Sequence, residues 1–196
     1  MDTLSSINEI KIAVQEYREL KKELKRKRTK LNSLTAKYSF IDTMQSTDVD
    51  DIELENNVLD LLMSIGYNTQ KPKEKRDLDG YATYNGEMIG IEVKNSTGIS
   101  ENEMFQGLKY KGRNDRKGLE TKTTLIVWNN AKSNQEFDSF RIEDAEIHKY
   151  GIITTKELVK GFIKVINEKI SVQIFHTILT KEGQIKFSNK KIKELE

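Results

Sequence analysis

Residues 79–94 read DGYATYNGEMIGIEVK, and the Asn85-Gly86 pair at their centre predicts a two-residue β-hairpin turn. A type I′ turn needs a positive φ at both central positions, which Asn and Gly accept more readily than other residues. If this turn closes the hairpin, each pair of facing residues keeps the same sum of residue numbers. The ladder then places Asp79 directly opposite Glu92.

The facing pair of Asp79 and Glu92 brings two negative charges together. Directly opposed residues have Cβ atoms about 4.5–5.5 Å apart, and like charges there are destabilising. Side chains alternate along a strand, so Lys94 shares a face with Glu92, while Ile89, Ile91 and Val93 are expected to face the core. A divalent cation between the acids would remove the repulsion. The alternative is an exposed ladder pair with a lysine nearby.

Several segments in the order expected for one family accompany this hairpin. The pattern Asp-x(n)-Glu-x-Lys after a helix resembles the PD-(D/E)xK nuclease superfamily, which has the restriction-endonuclease-like fold. Similar to that family are a first helix at 54–67, Gln106-x-x-x-Tyr110 on a later helix, a strand at 123–128 and a helix-then-strand at 144–153. The resemblance covers roughly residues 50–165, and Leu78 stands where many members have proline.

The resemblance implies an α/β fold with a three-layer α-β-α core and a mixed central sheet. It also implies an Mg²⁺-dependent endonuclease (Mn²⁺ being the other candidate ion) that hydrolyses phosphodiester bonds, in DNA rather than RNA, with a role in defence against foreign DNA. The metal ligands it implies are Asp79, Glu92, the backbone carbonyl of Val93 and, for a second metal or its water, Glu55. Lys94 would position the attacking water.

The remaining candidate residues have an ordinary structural alternative. Gln106 and Tyr110 would support the lysine or hold nucleic acid, or they could serve only packing and surface polarity. Glu55 could simply complement the positive end of its helix. Asp77 lies two residues before Asp79 on the same face, but the ladder pairs the latter with the glutamate, so we prefer Asp79.

Composition excludes several other classes of protein. The chain has 196 residues, no cysteine and a net charge of +2. The absence of cysteine rules out disulfides and thiolate zinc sites and suits a reducing cytoplasm. His148 and His176 are far apart in sequence, which makes a histidine-based nuclease an unfavourable interpretation. No apolar run approaches the roughly 20 residues that cross a bilayer, so we expect no membrane association.

The amino-terminal segment, about residues 4–40, predicts one long helix without glycine or proline. A stripe with alternating steps of three and four runs from Ile7 to Tyr38, interrupted at Lys21, Arg28 and Thr35. Two interpretations stay open, a helix packed on its own nuclease domain and a coiled-coil arm that makes a homodimer or higher oligomer. The basic run 21–30 is either a solvated helix surface or an arm that contacts phosphates.

Basic residues cluster on both sides of the hairpin in sequence. We expect the second group to lie in a glycine-punctuated loop at a binding cleft. The candidate nucleic-acid-binding residues are Lys73, Lys75, Arg76, Lys109, Lys111, Arg113 and Arg116. A partner such as an ATPase could deliver the nucleic acid.

The expected domains are a helical arm with a linker at 1–45, a nuclease domain at 46–170, and an extension at 171–196. The polar, acidic segment 42–51 is interpreted as the linker. Alternating residues at 172–176 and 184–187 predict a carboxy-terminal β-hairpin. The alternative function is a non-catalytic nucleic-acid-binding or oligomerisation module built on a nuclease-like core.

Overall fold

The structure is a computed structural model that describes residues 3–72, 77–116 and 118–195. The chain divides into two compact units, Met1–Ser39 and Phe40–Glu196. The first unit consists of one long helix, α1 (Thr3–Lys37). No described helix is long and apolar enough to cross a membrane.

The second unit alternates helices and strands along the chain. Its elements are α2 (Phe40–Met44), α3 (Asp51–Ser64), β1 (Asn68–Gln70), β2 (Gly80–Tyr84), β3 (Glu87–Lys94), α4 (Glu101–Arg116), β4 (Thr123–Trp128), α5 (Ser139–Ile147), β5 (Gly151–Thr154), α6 (Thr155–Ile166), α7 (Val172–Leu179), β6 (Gly183–Gln184) and α8 (Asn189–Lys193). A short 3₁₀ helix, Asn130–Lys132, follows β4.

The strands form one mixed sheet in the order β1-β2-β3-β4-β5-β6. The β1–β2 and β2–β3 pairs are antiparallel, whereas β3–β4, β4–β5 and β5–β6 are parallel. The predicted hairpin turn is confirmed, because Asn85 has φ 49° and Gly86 has φ 83°. Tyr84 therefore faces Glu87, as the turn requires.

Helices cover both faces of the sheet, which gives the three layers expected from the sequence. On one face, Met104 of α4 and Ala145 of α5 pack in a cluster with Ile126, Trp128 and Ile152. On the other face, Leu59 of α3 lies so close to Gly80 that a Cβ there would come within 2.7 Å of it. α7 joins α3 on this face, since its His176 ring lies against the Tyr84 ring with centroids 5.2 Å apart and a tilt of 45°.

Local sequence fixes both ends of α3, the helix that carries Glu55. Asp50 caps the amino end, where its side chain accepts a hydrogen bond of 2.8 Å from the Glu53 amide. Gly66 follows the carboxyl end with φ +104°, a conformation that glycine adopts without steric cost. The acids that precede and begin this helix also suit its positive end.

The predicted carboxy-terminal hairpin is wrong. Residues 172–179 form helix α7, which Ser171 caps by accepting a hydrogen bond from the Ile174 amide. Phe175, Ile178 and Leu179 recur at helical spacing and are buried, and this period overrides the short alternation that precedes it. The second expected strand shrinks to β6, which pairs in parallel with β5.

Two further segments differ from the sequence-based expectation. The segment 42–51 contains the end of α2 and buries Met44 and Val49, so part of the expected linker packs in the core. Lys109, Arg113 and Arg116 belong to α4 and not to a loop. Gly112 is tolerated inside this helix, and the basic residues of the last turn favour its negative end.

Candidate active site

The hairpin ladder brings Asp79 and Glu92 together at the end of β3. The last paired residues are Gly80 and Ile91, and one further step of the same register sets the two acids opposite each other. The Asp79 Oδ2 atom accepts a hydrogen bond of 2.7 Å from the Val93 amide, which fixes the aspartate beside β3. Glu92 is 2% exposed although it carries a carboxyl group.

Both acids have perturbed titration. Burial raises the pKa of Asp79 to about 6, with Glu55 adding to the increase, while the Val93 hydrogen bond and Lys94 oppose it. Burial also raises the pKa of Glu92 to about 7, reinforced by the charge of Asp79 and opposed by Lys94. The negative charge of Asp79 therefore acts on the Glu92 carboxyl. Buried acids whose pKa values are raised beside a like charge are a feature of many functional sites.

A chain of hydrogen bonds extends from Glu92 across to α4. Lys94 Nζ lies 2.6 Å from Glu92 Oε1 and 3.2 Å from Gln106 Oε1. Gln106 Nε2 in turn donates to the Tyr110 hydroxyl at 3.0 Å. An ammonium group has three N–H donors, and the contacts of the described residues use two of those of Lys94. The third has no acceptor among the described residues.

The donor set fits a hard divalent cation. Glu92 Oε2 is buried and has no hydrogen-bond partner among the described residues. A buried, unpartnered carboxylate oxygen beside a second carboxylate is costly, and a cation would satisfy both. The described part of the chain contains no group of three or more His, Asp or Glu side chains placed to hold a metal. Two carboxylates suffice for Mg²⁺ when waters and substrate phosphates supply the remaining ligands.

Glu55 lies near this pair but has its own partner. Its Oε2 atom is 3.2 Å from Lys71 Nζ. The charge of Glu55 nevertheless contributes to the raised pKa values of Asp79 and Glu92. The α3 helix therefore presents a third carboxylate whose charge acts on the two hairpin acids.

Asp77, the rival to Asp79, has different contacts. Its Oδ1 atom accepts hydrogen bonds from the Leu78 amide at 2.8 Å and from the Tyr81 hydroxyl at 2.7 Å. These bonds stabilise the chain as it enters β2. The electrostatic effect on Glu92 comes from Asp79, which agrees with the preference drawn from the ladder.

One group of the candidate nucleic-acid-binding residues lies on α4, beyond Gln106 in the direction of the carboxyl end of the helix. Lys109, Arg113 and Arg116 line a shallow pocket together with Tyr110. Arg116 Nε donates to the Gly112 carbonyl at 3.0 Å. Lys111 is also in α4, but its side chain lies outside the described residues, as do Lys73, Lys75 and Arg76 altogether.

Two asparagines that the sequence analysis did not single out hold the strand ends at the site. Asn129 Nδ2 donates to Asn95 Oδ1 at 3.0 Å, and the Asn129 amide donates to the Lys94 carbonyl at 2.8 Å. Asn95 Nδ2 donates to the Val49 carbonyl at 2.7 Å. The signal was available, because each asparagine directly follows a strand at the edge where the lysine lies.

Comparison with known proteins identifies the fold. No protein-family model and no curated protein matches the sequence. Among solved structures, the restriction endonuclease FokI bound to DNA superimposes with a TM-score of 0.58 at 14% identity, and FokI alone superimposes with 0.59 at 13%. Each match covers 76% of this chain but 30% of FokI. The core therefore has a restriction-endonuclease-like fold.

Proposed function

We propose that this protein is a metal-dependent nuclease that hydrolyses phosphodiester bonds in DNA. The observation that supports it most strongly is the buried pair of Asp79 and Glu92 with Lys94 hydrogen-bonded beside it. A buried acid pair with an ammonium group is costly to maintain, and well-packed apolar residues in such a place are often as stable or more stable. The fold shared with FokI, which was solved bound to DNA, supports the choice of substrate.

Asp79 and Glu92 would hold Mg²⁺ or Mn²⁺, with the Val93 carbonyl as a further ligand. The bound ion would neutralise charge on the phosphate and lower the pKa of a water, as divalent ions do in other hydrolases. Glu55 would bind a second ion or its water after its contact with Lys71 breaks.

Lys94 would position the attacking water and then stabilise the negative charge that develops on the phosphate. A preorganised ammonium group in a partly buried site is effective because it need not reorient during the reaction. Gln106 fixes the Lys94 side chain by accepting its hydrogen bond, and Tyr110 fixes Gln106 in turn. These two are positioning residues.

The α4 residues Lys109, Arg113 and Arg116 would bind the DNA backbone. They follow Gln106 and Tyr110 at steps of three or four residues. They therefore share one side of the helix with these two residues, which are hydrogen-bonded toward Lys94. Contacts between basic side chains and phosphates position a duplex without reading its sequence. A strand held along α4 would therefore present its phosphates to the acids.

The test is cleavage of supercoiled plasmid with Mg²⁺, with Mn²⁺ and with EDTA. We expect nicking or linearisation that needs a divalent ion and that Lys94→Ala reduces by at least 10²-fold, in the range found for a lost transition-state donor. Lys122→Ala is the matched control, because this exposed lysine pairs with Glu87 at the opposite end of β3. Equal cleavage rates for Lys94→Ala and the wild type would contradict the proposed mechanism.

A second candidate function is nucleic-acid binding without cleavage. The pocket lined by Lys109, Arg113 and Arg116 on α4 supports it, since basic residues bind phosphates whether or not the acids hold a metal. In that case the protein would retard DNA in a gel at low salt and leave it uncut at every divalent ion tested. RNA included in the same assay distinguishes the class of nucleic acid.

A further inference from the structure

Helix α1 exposes large apolar side chains between residues 12 and 24, within the part of the helix whose side chains are described. Tyr17 is 65% exposed, Leu20 is 65% exposed and Leu24 is 68% exposed. The helix has 35 residues, which corresponds to about 50 Å. Large apolar side chains exposed on one helix are a typical surface for binding a second helix.

The spacing of these residues is that of a coiled coil. The seam passes through Ile10, Ala13, Tyr17, Leu20, Leu24, Lys27, Leu31 and Leu34, with alternating steps of three and four. The stripe that starts at Ile7 is interrupted at three positions, whereas this seam has one polar residue, Lys27. In the heptad notation, 10, 17, 24 and 31 are a positions and 13, 20, 27 and 34 are d positions. A single polar residue in such a core helps to fix register.

The charges that flank the seam select the partner and its direction. Glu16 and Glu23 occupy g positions, and Lys21 and Arg28 occupy e positions. In a parallel pair each g residue faces the e residue of the next heptad on the other helix. Glu16 then faces the lysine and Glu23 faces the arginine of the second copy, and symmetry doubles both contacts. In an antiparallel pair g faces g and e faces e, so like charges would meet.

We propose that α1 forms a parallel, in-register coiled coil with α1 of a second copy of this chain. The basic run 21–30 is compatible with this pairing because its charges at b, c and f positions point away from the seam. Both chains leave such a coil at the same end, so two copies of the 40–196 unit are tethered there. The proposal does not depend on nuclease activity.

Charge exchange on the full chain tests the pairing. One variant carries Glu16→Lys with Glu23→Lys, and the other carries Lys21→Glu with Arg28→Glu. We expect each variant alone to dissociate with a Kd raised about tenfold or more, since four favourable contacts become repulsive. An equimolar mixture should recover the wild-type affinity. Sedimentation equilibrium measures all three, and Lys22→Glu with Arg26→Glu, at outward f and c positions, is the matched control.

The direction of the helices is tested by cross-linking, which the cysteine-free chain makes straightforward. Ala13→Cys at a d position should form an intermolecular disulfide with oxidised glutathione, because the two copies meet at equivalent residues. Gln15→Cys at an outward f position should not. A wild-type mass of one chain, unchanged affinity in both charge variants, or no disulfide at Ala13→Cys would each overturn the proposal.

Discussion

At the scale of single residues, Glu92 is the buried acid on which the proposed metal site depends most. Its neighbours on β3 force it onto the sheet face, where it is 2% exposed and where Lys94 satisfies one of its two oxygens. The other oxygen has no partner within the described ranges of the chain. A carboxylate in this position favours either a proton or a cation, and the two compete for the same site.

This competition predicts how stability depends on pH. The folded pKa values of Asp79 and Glu92, about 6 and about 7, exceed the ordinary values of 3.8 and 4.5. The folded protein thus binds more protons than the unfolded chain, so this contribution is full below about pH 4 and is lost as pH rises to about 7. For Glu92 it is on the order of 3 kcal/mol.

Thermal unfolding in EDTA measures this effect when the wild type is compared with Asp79→Asn, Glu92→Gln. We expect the wild-type Tm to fall relative to the double variant between about pH 4 and about pH 7. Mg²⁺ should restore wild-type stability at pH 8 and leave the double variant unchanged. Parallel Tm curves for the two proteins, with and without Mg²⁺, would show that the carboxylates do not interact as described.

The positioning role proposed for Gln106 gives a graded prediction. Gln106→Ala removes the acceptor for Lys94 and should lower kcat by about tenfold or more with little change in KM, because the lysine loses its fixed orientation. Tyr110→Phe keeps Gln106 and should have a smaller effect. Single-turnover cleavage rates are the measurement, and Glu101→Gln, exposed on the same helix, is the control. A larger loss of kcat in Tyr110→Phe than in Gln106→Ala would contradict the proposal that Tyr110 acts on Lys94 through Gln106.

At the scale of elements, the parts that local chemistry determines were predictable from sequence. Asn85-Gly86 accepts only a narrow set of turns, so one dipeptide set the register of β2 and β3 and with it the facing acids. Gly66 ends α3 for a similar reason. The placement of Asp79 opposite Glu92 followed from the register of β2 and β3.

Other elements depend on distant contacts and were missed. The alternating residues at the start of α7 become helical because Phe175 and His176 pack on residues far away in sequence, such as Tyr67. The His176 ring bridges the Tyr67 hydroxyl and Glu87, each at 3.0 Å. No local sequence pattern indicates hydrogen bonds between residues that are 89 and 109 positions apart. The bracing by Asn95 and Asn129 also needs the fold.

Two helical glycines provide opposite predictions for the same substitution. At Gly112 in α4 a Cβ would meet nothing within 4 Å, so Gly112→Ala should stabilise the protein by up to about 1 kcal/mol through helix propensity. At Gly161 in α6 a Cβ would come within 2.4 Å of the Phe187 ring, which is fully buried. Gly161→Ala should therefore destabilise by about 1–3 kcal/mol.

Urea unfolding of both variants measures the difference. The expected result is a higher midpoint than the wild type for Gly112→Ala and a lower midpoint for Gly161→Ala, with similar m-values. Equal midpoints would mean that α6 does not pack against Phe187 as closely as described, or that α4 does not continue through residue 112.

At the scale of the whole molecule, the near-zero net charge conceals a local basic surface on α4. Replacing Lys109, Arg113 and Arg116 by alanine should weaken DNA binding equally for unrelated sequences. The slope of log K against log salt concentration should fall by about 2 to 3, since each phosphate contact contributes about 0.9. Fluorescence anisotropy in EDTA gives the slope. The matched control replaces Lys156, Lys160 and Lys169 by alanine. An equal fall of the slope in this control would contradict the proposal that DNA binds along α4.

Binding of Mn²⁺ to the metal-free protein, measured by isothermal titration calorimetry, most directly tests the cation site proposed for the two hairpin acids. We predict a saturable site that is lost in Asp79→Asn and in Glu92→Gln and retained in Asp77→Asn, with all variants folded by their Tm. Unchanged Mn²⁺ binding after removal of either Asp79 or Glu92, or its loss only in Asp77→Asn, would contradict this account.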